Sequence, residues 1–383
     1  MKICLFTDTL GDLNGVSRFI QDMGEQAHAH GVELHIITST SKPIPQHSYI
    51  HNLPYLFKIP MPFYQELDLV LPKKRAIKQL LQELQPDIVH ISTPGPFGWS
   101  AKTIAQKMNF PLIGTYHTDF PAYLYDLTQS KWIKRQTDKI MAKFYRPFKH
   151  VISRSQHYIH VMDNDLGIAP SRTSVLPAGT DLQKFHSRHQ DHTIWQHFHL
   201  ANGRQKVLYV GRINIEKNIP FLLEVWQSFI EANPGIEADL VMAGEGRYRK
   251  LADKMKPYHA YFLGPVTGEA LSKIYASSDL FIFPSTTDTL GQVIMEAQAS
   301  GLGCLVSDQG GPQSLLPDQA GFIIAANDAE AWQKKLADLL SEQVSTHNWA
   351  QCTRQHMQQY DIQDSFQHFI NIHKAQLQEA SSD

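Results

Sequence analysis

Short apolar runs bounded by turn residues alternate with helical patterns along the whole chain, and this alternation most narrows what the chain can fold into. The runs at 2–8, 34–39, 86–93 and 111–118 read as strands in the first half, and those at 206–211, 238–244, 260–264, 279–284 and 302–307 in the second. Runs that are nearly all apolar, rather than alternating with polar residues, belong to parallel sheets covered on both faces. Between the first two runs, Val16, Phe19, Ile20, Met23 and Ala27 recur at helical spacing, with Gly31 as the stop. After Lys217 the stripe Leu222, Val225, Trp226 and Phe229 does the same. The expectation is α/β: two doubly wound, Rossmann-like domains. The polar, His-rich stretch 181–205 ends in Asn202-Gly203 just before a new strand. It sets the division at residues 1–185 and 186–362, with an amphipathic helix at 363–380 (Phe366, Phe369, Ile370, Leu377) packing back on the first domain.

A chain of 383 residues can bury two such cores. Its 35 Lys and Arg against 37 Asp and Glu give a net charge of −2, which leaves no general field for holding nucleic acid. The 20 histidines make that balance depend on pH. Cys4, Cys304 and Cys352 are odd in number and lack CxxC spacing, which fits a reducing compartment. The N-terminal apolar run breaks at Thr7 and Asp8, too early for a signal peptide. No run approaches the roughly 18 residues of a spanning helix. The expected location is cytoplasmic, with any membrane contact peripheral and on the inner face. His186, His189, His192, His197 and His199 match no standard ligand set and read as solvated linker histidines, so no metal is expected.

Two segments carry chemistry. In VGRINIEKN, Gly211 and Arg212 leave a strand tip and Lys217 follows at a helix start. That crevice is where doubly wound sheets bind ligands, and an Arg with a Lys there suits a diphosphate, although a pair of solvated surface cations is the plainer alternative. In FPSTTDTLGQVIMEAQASG (283–301), Asp288 precedes a helix that carries Glu296. Asp288 would cap that helix, leaving the amides of Thr289, Leu290 and Gly291 to face an anion or a sugar hydroxyl. Glu296, beside Ala297, Ala299 and Gly301, suits two ribose hydroxyls; an exposed helix Glu is the bland alternative.

Together with NGVS, GTYHTDFPAYL, VLPAGTDLQKF, LVMAGEG and LGPVTGEALSKIYASSDLFIFPS, in that order, these segments resemble retaining glycosyltransferases of the GT-B fold, family 4. The resemblance implies two Rossmann-like domains facing a central cleft, the first for acceptor and the second for a nucleotide-diphosphate sugar donor as co-substrate, with no cofactor required. It implies that Gly15, with Val16, lies against the donor diphosphate. Arg212 and Lys217 hold that diphosphate as leaving group, Gly211 and Gly244 line its loops, and Glu296 binds ribose. Asp288, with Thr289, Leu290 and Gly291, contacts the sugar, and His117 orients sugar and acceptor. Retention implies front-face attack with the leaving phosphate helping to deprotonate the acceptor, so no glycosidase-type carboxylate pair is needed. Departures are Asp288 for Glu, Leu290 for Phe, Gly303-Cys304 for Pro-Val, and Ser314-Leu315 for Glu-Asn after Gly310-Gly311-Pro312. The last bears on donor choice, which stays open between UDP-glucose and GDP-mannose types.

The stretch from Lys131 to Lys149 holds seven Lys or Arg and one acid, Asp138. Ile133, Ile140, Met141, Phe144 and Phe148 share one helical stripe and Lys131, Arg135, Lys139 and Lys143 another. With Trp132 and Lys134, this suits an anionic membrane interface; an ordinary covering helix with a solvated basic face is the alternative. LPYLFKIPMPFYQ (53–65), followed by Lys73, Lys74 and Arg75, adds apolar and basic residues in the same half. A membrane glycolipid or lipid-linked glycan is the expected acceptor, with Tyr116, Phe120 and Tyr123 of the HTDFPAYLYDLT loop at its mouth. A soluble transferase with a small acceptor and a non-catalytic nucleotide-sugar binder remain the alternatives. A dehydrogenase is disfavoured because no GxGxxG follows the first strand.

Overall fold

The computed structural model describes every residue except Leu13, Pro62, Phe63, Thr289, 342–345 and 381–383. The chain forms two compact units, Met1–Ala178 with Gln363–Asp383, and Gly179–Ile362, so the first division falls slightly before residue 185.

The first unit runs β1 (Lys2–Phe6), α1 (Gly15–Ala29), β2 (Glu33–Thr38), β3 (Ile50–Asn52), β4 (Tyr55–Met61), β5 (Tyr64–Pro72), α2 (Lys74–Leu84), β6 (Ile88–Ile91), α3 (Pro96–Lys107), β7 (Leu112–Tyr116), α4 (Phe120–Thr128), α5 (Lys131–Tyr145), β8 (His150–Ser153), α6 (Gln156–Asn164) and β9 (Thr173–Val175). Seven of the strands form a parallel sheet in the order β3-β2-β1-β6-β7-β8-β9. Ile3, Cys4, Leu5 and Phe6 are sealed from solvent, as both-face burial requires. Asn14 Oδ1 caps α1 by accepting from the Ser17 amide at 2.8 Å, which starts the helix so that Phe19, Ile20, Met23 and Ala27 turn inward. Asp8, just past β1, accepts from Thr93 Oγ1 at 2.7 Å and from the amides of Phe97 and Gly98 at 2.9 and 3.2 Å. It thereby anchors the start of α3. Burial pushes its carboxyl up to about 6 against the pull of those hydrogen bonds.

The second unit runs α7 (Ile194–His197), β10 (Gln205–Val210), α8 (Ile219–Ala232), β11 (Ala238–Ala243), α9 (Ala252–Met255), β12 (Ala260–Gly264), α10 (Gly268–Ala276), β13 (Leu280–Phe283), α11 (Gln292–Ala299), β14 (Gly303–Ser307), β15 (Gly321–Ile324), α12 (Ala329–Ser341) and α13 (Thr346–Met357). Its sheet is also parallel, in the order β12-β11-β10-β13-β14-β15. Strand order reverses at β10/β13 here and at β1/β6 in the first unit. Such switch points open a crevice at the carboxyl ends of the strands. Leu222, Val225, Trp226 and Phe229 are all sealed beneath α8, as their spacing implies.

One local reading gains a structure and two change. The 53–65 segment contributes to an antiparallel hairpin, β4 with β5, that leaves Leu56, Phe57 and Ile59 exposed. The HTDFPAYLYDLT segment is not a loop: Asp119 Oδ1 accepts from the Ala122 amide at 3.0 Å and starts α4. The His-rich stretch is not wholly solvated, because Ile194 and Trp195 of α7 are buried.

The last helix, α14 (Ile362–Ala380), belongs to the first unit. Phe369 packs edge-on against Phe19 at 6.4 Å, and His373 Nε2 meets His90 Nδ1 at 2.9 Å. His90 Nε2 reaches Thr115 Oγ1 at 2.7 Å, and His373 Nδ1 donates to the Phe369 carbonyl at 2.7 Å. Burial, then neighbouring histidines, push His90 well below its ordinary value, and burial brings His373 down to about 4. Both rings stay neutral in the fold while the unfolded chain takes up protons below about pH 6.5. Stability therefore falls as pH drops from about 6.5 towards 4. Denaturant unfolding at pH 7 and pH 5 measures this; His373→Gln should show a shallower loss than wild type, and an equal loss would refute the assignment.

Candidate functional site

At the switch point of the second sheet, the loops after β10, β11 and β13 bring together most of the residues singled out above. Gly211 and Gly244 follow β10 and β11 at φ of +150° and +149°, a region that favours glycine. A Cβ on Gly244 would lie 1.9 Å from the Gly211 carbonyl oxygen, so the two backbones are in direct contact. Buried Tyr209 donates from its hydroxyl to the Arg212 carbonyl at 2.7 Å and fixes the turn that carries Arg212 and Lys217.

The two cations are paired with acids. Arg212 Nη1 lies 3.2 Å from Glu216 Oε1. Lys217 Nζ donates to both Asp288 oxygens at 2.6 Å, with 11% and 20% of the two side chains exposed. Burial works against the Asp288 charge, but Lys217 and the hydrogen bonds outweigh it and hold the carboxyl below its usual range. An ammonium has three donors, so two are committed to Asp288 and one is left. Asp288 therefore does not cap the following helix. The N-cap of α11 is Gly291, at φ +83°, with no side-chain cap. The Asp288 carbonyl instead accepts from the Gly311 amide at 2.8 Å, and Thr287 Oγ1 donates to the Glu216 carbonyl at 2.9 Å, stitching the three loops together. Leu290 is half-buried, and Thr289 lies outside the described residues.

Glu296 is neither exposed nor a surface helix carboxylate. It is 4% exposed and accepts from the Tyr275 hydroxyl at 2.9 Å. Sequence reading missed Tyr275, whose position 21 residues upstream gives no local hint of the contact. The loop after β14 has also adapted to its departure: Ser314 Oγ donates to the Gly311 carbonyl at 2.6 Å, and buried Leu315 offers its carbonyl to Gln298 Nε2 at 2.9 Å.

In the first unit, His117 follows β7. Its Nε2 lies 2.9 Å from Ser92 Oγ, and its ring packs edge-on to Phe19 at 5.4 Å. Burial, then the nearby Arg154, push it down to about 3, so it is a neutral hydrogen-bonding group at physiological pH. Gly15 is exposed, Val16 is half-buried, and a Cβ at Gly15 would meet no atom within 4 Å.

The expected acceptor residues divide. Tyr116 is fully buried, with Tyr145 and Tyr158 at ring distances of 5.5 and 5.3 Å, and belongs to the core because every residue of β7 is buried. Phe120 packs on that core, and Tyr123 is half-buried. On α5, Lys134, expected at the membrane face, is instead taken up by Asp138 and Asp165 at 3.2 and 3.1 Å. Ile140 is exposed rather than buried, while Met141, Phe144 and Phe148 face inward and Ile133 is half-buried. Trp132, 70% exposed, shares an outer face with Lys131, Arg135, Lys139, Ile140 and Lys143. No helix among the described residues is long and apolar enough to cross a membrane, and no group of three or more His, Cys, Asp or Glu among them is placed to hold a metal ion.

The model of Glycosyltransferase Family 4 matches residues 13–184 and that of Glycosyl transferases group 1 matches residues 192–356; together they span most of the chain, which is a GT-B glycosyltransferase. It is 28% identical to the sulfoquinovosyl transferase SQD2 of Arabidopsis thaliana over 356 residues, 90% of this chain and 66% of that protein. It is 25% identical to a GDP-mannose-dependent alpha-mannosyltransferase of Mycobacterium tuberculosis, covering 84% and 82%, and 25% to the alpha-monoglucosyldiacylglycerol synthase of Streptococcus pneumoniae, covering 79% and 70%. Among solved structures, the sucrose-phosphate synthase of Thermosynechococcus elongatus shares the GT-B fold over the full length of both chains, with a TM-score of 0.78 at 18% identity.

Removing the Tyr275 hydroxyl leaves buried Glu296 one donor short. Tyr275→Phe should cost about 1–3 kcal/mol in denaturant unfolding, whereas unchanged stability would mean that the Glu296 carboxylate is satisfied without it.

Proposed function

We propose that this glycosyltransferase moves a hexose from a nucleoside diphosphate sugar, of UDP-glucose or GDP-mannose type, to a lipid or lipid-linked acceptor with retention of anomeric configuration. The observation that carries the reading is the placement of Arg212 and Lys217, each paired with an acid, on the loop after β10, beside the glycine-only backbone contact of Gly211 and Gly244, with buried Glu296 on the helix that follows β13.

The second unit is assigned to the donor. Lys217 directs its remaining donor, and Arg212 its planar fork, at the diphosphate. Neutralising the charge that grows on the leaving group is electrostatic work that needs no proton transfer. Glu296, steadied by Tyr275, accepts from the ribose hydroxyls. Asp288 aims Lys217, and its carboxylate can still accept from a sugar hydroxyl. Leu290, Gly291 and Thr289 are assigned to the sugar end of the donor. The first unit is assigned to the acceptor, with neutral His117 orienting sugar and acceptor and Gly15 and Val16 bordering the diphosphate. In the front-face step, the bond from C1 to the phosphate oxygen breaks, C1 bonds to the acceptor oxygen, and the acceptor proton passes to the released phosphate. These residues supply charge stabilisation and positioning without a metal or other cofactor.

The acceptor reading draws on the outer face of α5, where an exposed Trp sits among four cations, and on the exposed Leu56, Phe57 and Ile59 of the hairpin. Such a face suits peripheral attachment to an anionic leaflet, here the cytoplasmic one. The synthase among the relatives has a diacylglycerol lipid in its name, and the mannosyltransferase names GDP-mannose, so the donor base stays the first quantity to measure.

Thermal-shift titration with UDP, GDP and ADP should single out one base. Glu296→Ala and Lys217→Ala should each lower transfer at least tenfold, about 1.4 kcal/mol. Near-normal rates would remove the assignment, and a nucleotide-binding protein that neither transfers nor hydrolyses donor would be a binder. Gly15→Ala should leave thermal stability unchanged while weakening the donor tenfold. On the membrane side, the protein should float with phosphatidylglycerol vesicles at low salt, and Trp132→Ala with Lys139→Glu and Lys143→Glu should abolish flotation. A wild-type protein that stays in the pellet fraction at low salt would favour a soluble acceptor.

A further inference from the structure

On the carboxyl edge of its sheet, the first unit carries a half-buried cation, Arg154, two of whose nitrogens find no hydrogen-bond acceptor among the described residues. Arg154 follows β8 as His117 follows β7, and Tyr116 and Ser153 are paired in register, so the two side chains leave adjacent parallel strands at the same level. Phe19 of α1 lies between them, its ring centre 4.8 Å from the Arg154 guanidinium carbon and 5.4 Å from the His117 ring. Nε and Nη2 of Arg154 are sealed from solvent and, among the described residues, hydrogen-bond to nothing. Asp22, the acid that acts on Arg154, lies 3.0 Å from Arg18 Nε and forms an ion pair with it. Burial pushes Arg154 down to about 10 while Asp22 opposes the shift, so the group remains a cation at neutral pH.

Buried charges are ordinarily paired, because the loss of hydration is not otherwise recovered. The Phe19 face returns part of it through cation–π attraction but offers no acceptor to the N–H groups. A planar fork of donors held on an aromatic shelf, at the strand ends where doubly wound sheets bind ligands, matches two oxygens of one oxyanion. Ser92 and His117 bond to each other beside it and are both neutral, so neither of them competes for the anion.

We propose that Arg154, shelved on Phe19 beside His117, binds an oxyanion carried by a substrate: a carboxylate, sulfonate or phosphate. Identifying the carrier as a substrate rests on the glycosyl-transfer reading above. The anion is either an acidic substituent of the transferred sugar or a phosphate of the acceptor.

Binding of UDP to the full-length protein is measured first; if no nucleotide binds, the nucleotide-sugar reading fails while the comparison below still decides on Arg154. With UDP in excess to fill any diphosphate site, inorganic phosphate is then titrated by calorimetry at low, constant ionic strength. Wild type should bind phosphate saturably. Arg154→Gln should lose at least tenfold in affinity with UDP binding unchanged, and Arg154→Lys, which keeps the charge without the fork, should fall between. Thermal stability of Arg154→Gln should equal or exceed that of wild type, since two sealed donors without an acceptor are removed; an arginine with a purely structural role would lower it. Equal phosphate affinity in wild type and Arg154→Gln, or no binding by wild type, overturns the proposal. Transfer assays then assign the carrier. A preference for UDP-glucuronate over UDP-glucose that vanishes in Arg154→Gln places the anion on the sugar, and a vanished preference for phosphatidylglycerol over diacylglycerol places it on the acceptor. A variant that keeps every wild-type preference overturns the assignment to a substrate.

Discussion

Both sheets are parallel and buried on both faces, and that constraint governs everything else in the molecule. Their interior strands carry mostly apolar side chains, with Ile3 to Phe6 and Val207 to Tyr209 sealed from solvent, and the polar exceptions are paired, His90 with Thr115 and Lys206 with Asp239. Polarity is driven to the carboxyl ends of the strands. Thr7, Ser39, Ser92, Ser153, Ser285 and Ser307 collect there, all buried, as small hydroxyls that can serve neighbouring loops. The larger groups stand one shell further out: Arg212 and Lys217 in one unit, His117 and Arg154 in the other. Chemistry sits at these edges because the fold excludes it from elsewhere.

The two edges solve the problem of a desolvated cation in different ways. In the second unit each cation has an acid supplied by a loop, Glu216 for Arg212 and Asp288 for Lys217. The pairs cancel locally, and the direction of each side chain is set before anything binds. In the first unit the cation rests on an aromatic ring, and its nearby acid is paired with a different arginine. Beside it, His117 is held neutral, so that edge contributes one net positive group and one uncharged hydrogen-bonding ring.

Much of this architecture is legible in the sequence, and what is not has physical causes. Periodicity finds the long, wholly apolar strands and the buried stripes of α1 and α8, because burial of a whole face leaves a repeating signal. It fails at β3, β8, β9 and β15, which are short or at sheet edges, and at the β4–β5 hairpin, which lies outside the parallel sheet and leaves Leu56, Phe57 and Ile59 exposed. Glycines forced by backbone contact, Gly211 and Gly244, stand out. Partners distant along the chain do not: Asp288 lies 71 residues from Lys217, and His373 lies 283 from His90. Helical spacing alone also misplaces Ile140, because a stripe's edge cannot be told from its centre without the neighbouring elements. Tyr116 looks available because Tyr is amphipathic, yet a strand with covered faces leaves it nowhere to go but the core.

The return of α14 to the first unit has a consequence for biosynthesis. A ribosome making this chain synthesises the whole second unit, Gly179–Ile362, before Phe369 and His373 are added to close over Phe19 and His90. The inserted unit can fold vectorially as it emerges, whereas the first must wait with an unsealed flank. An early segment thus depends for its completion on a later one, and a product truncated before α14 would carry a second unit joined to an unfinished first.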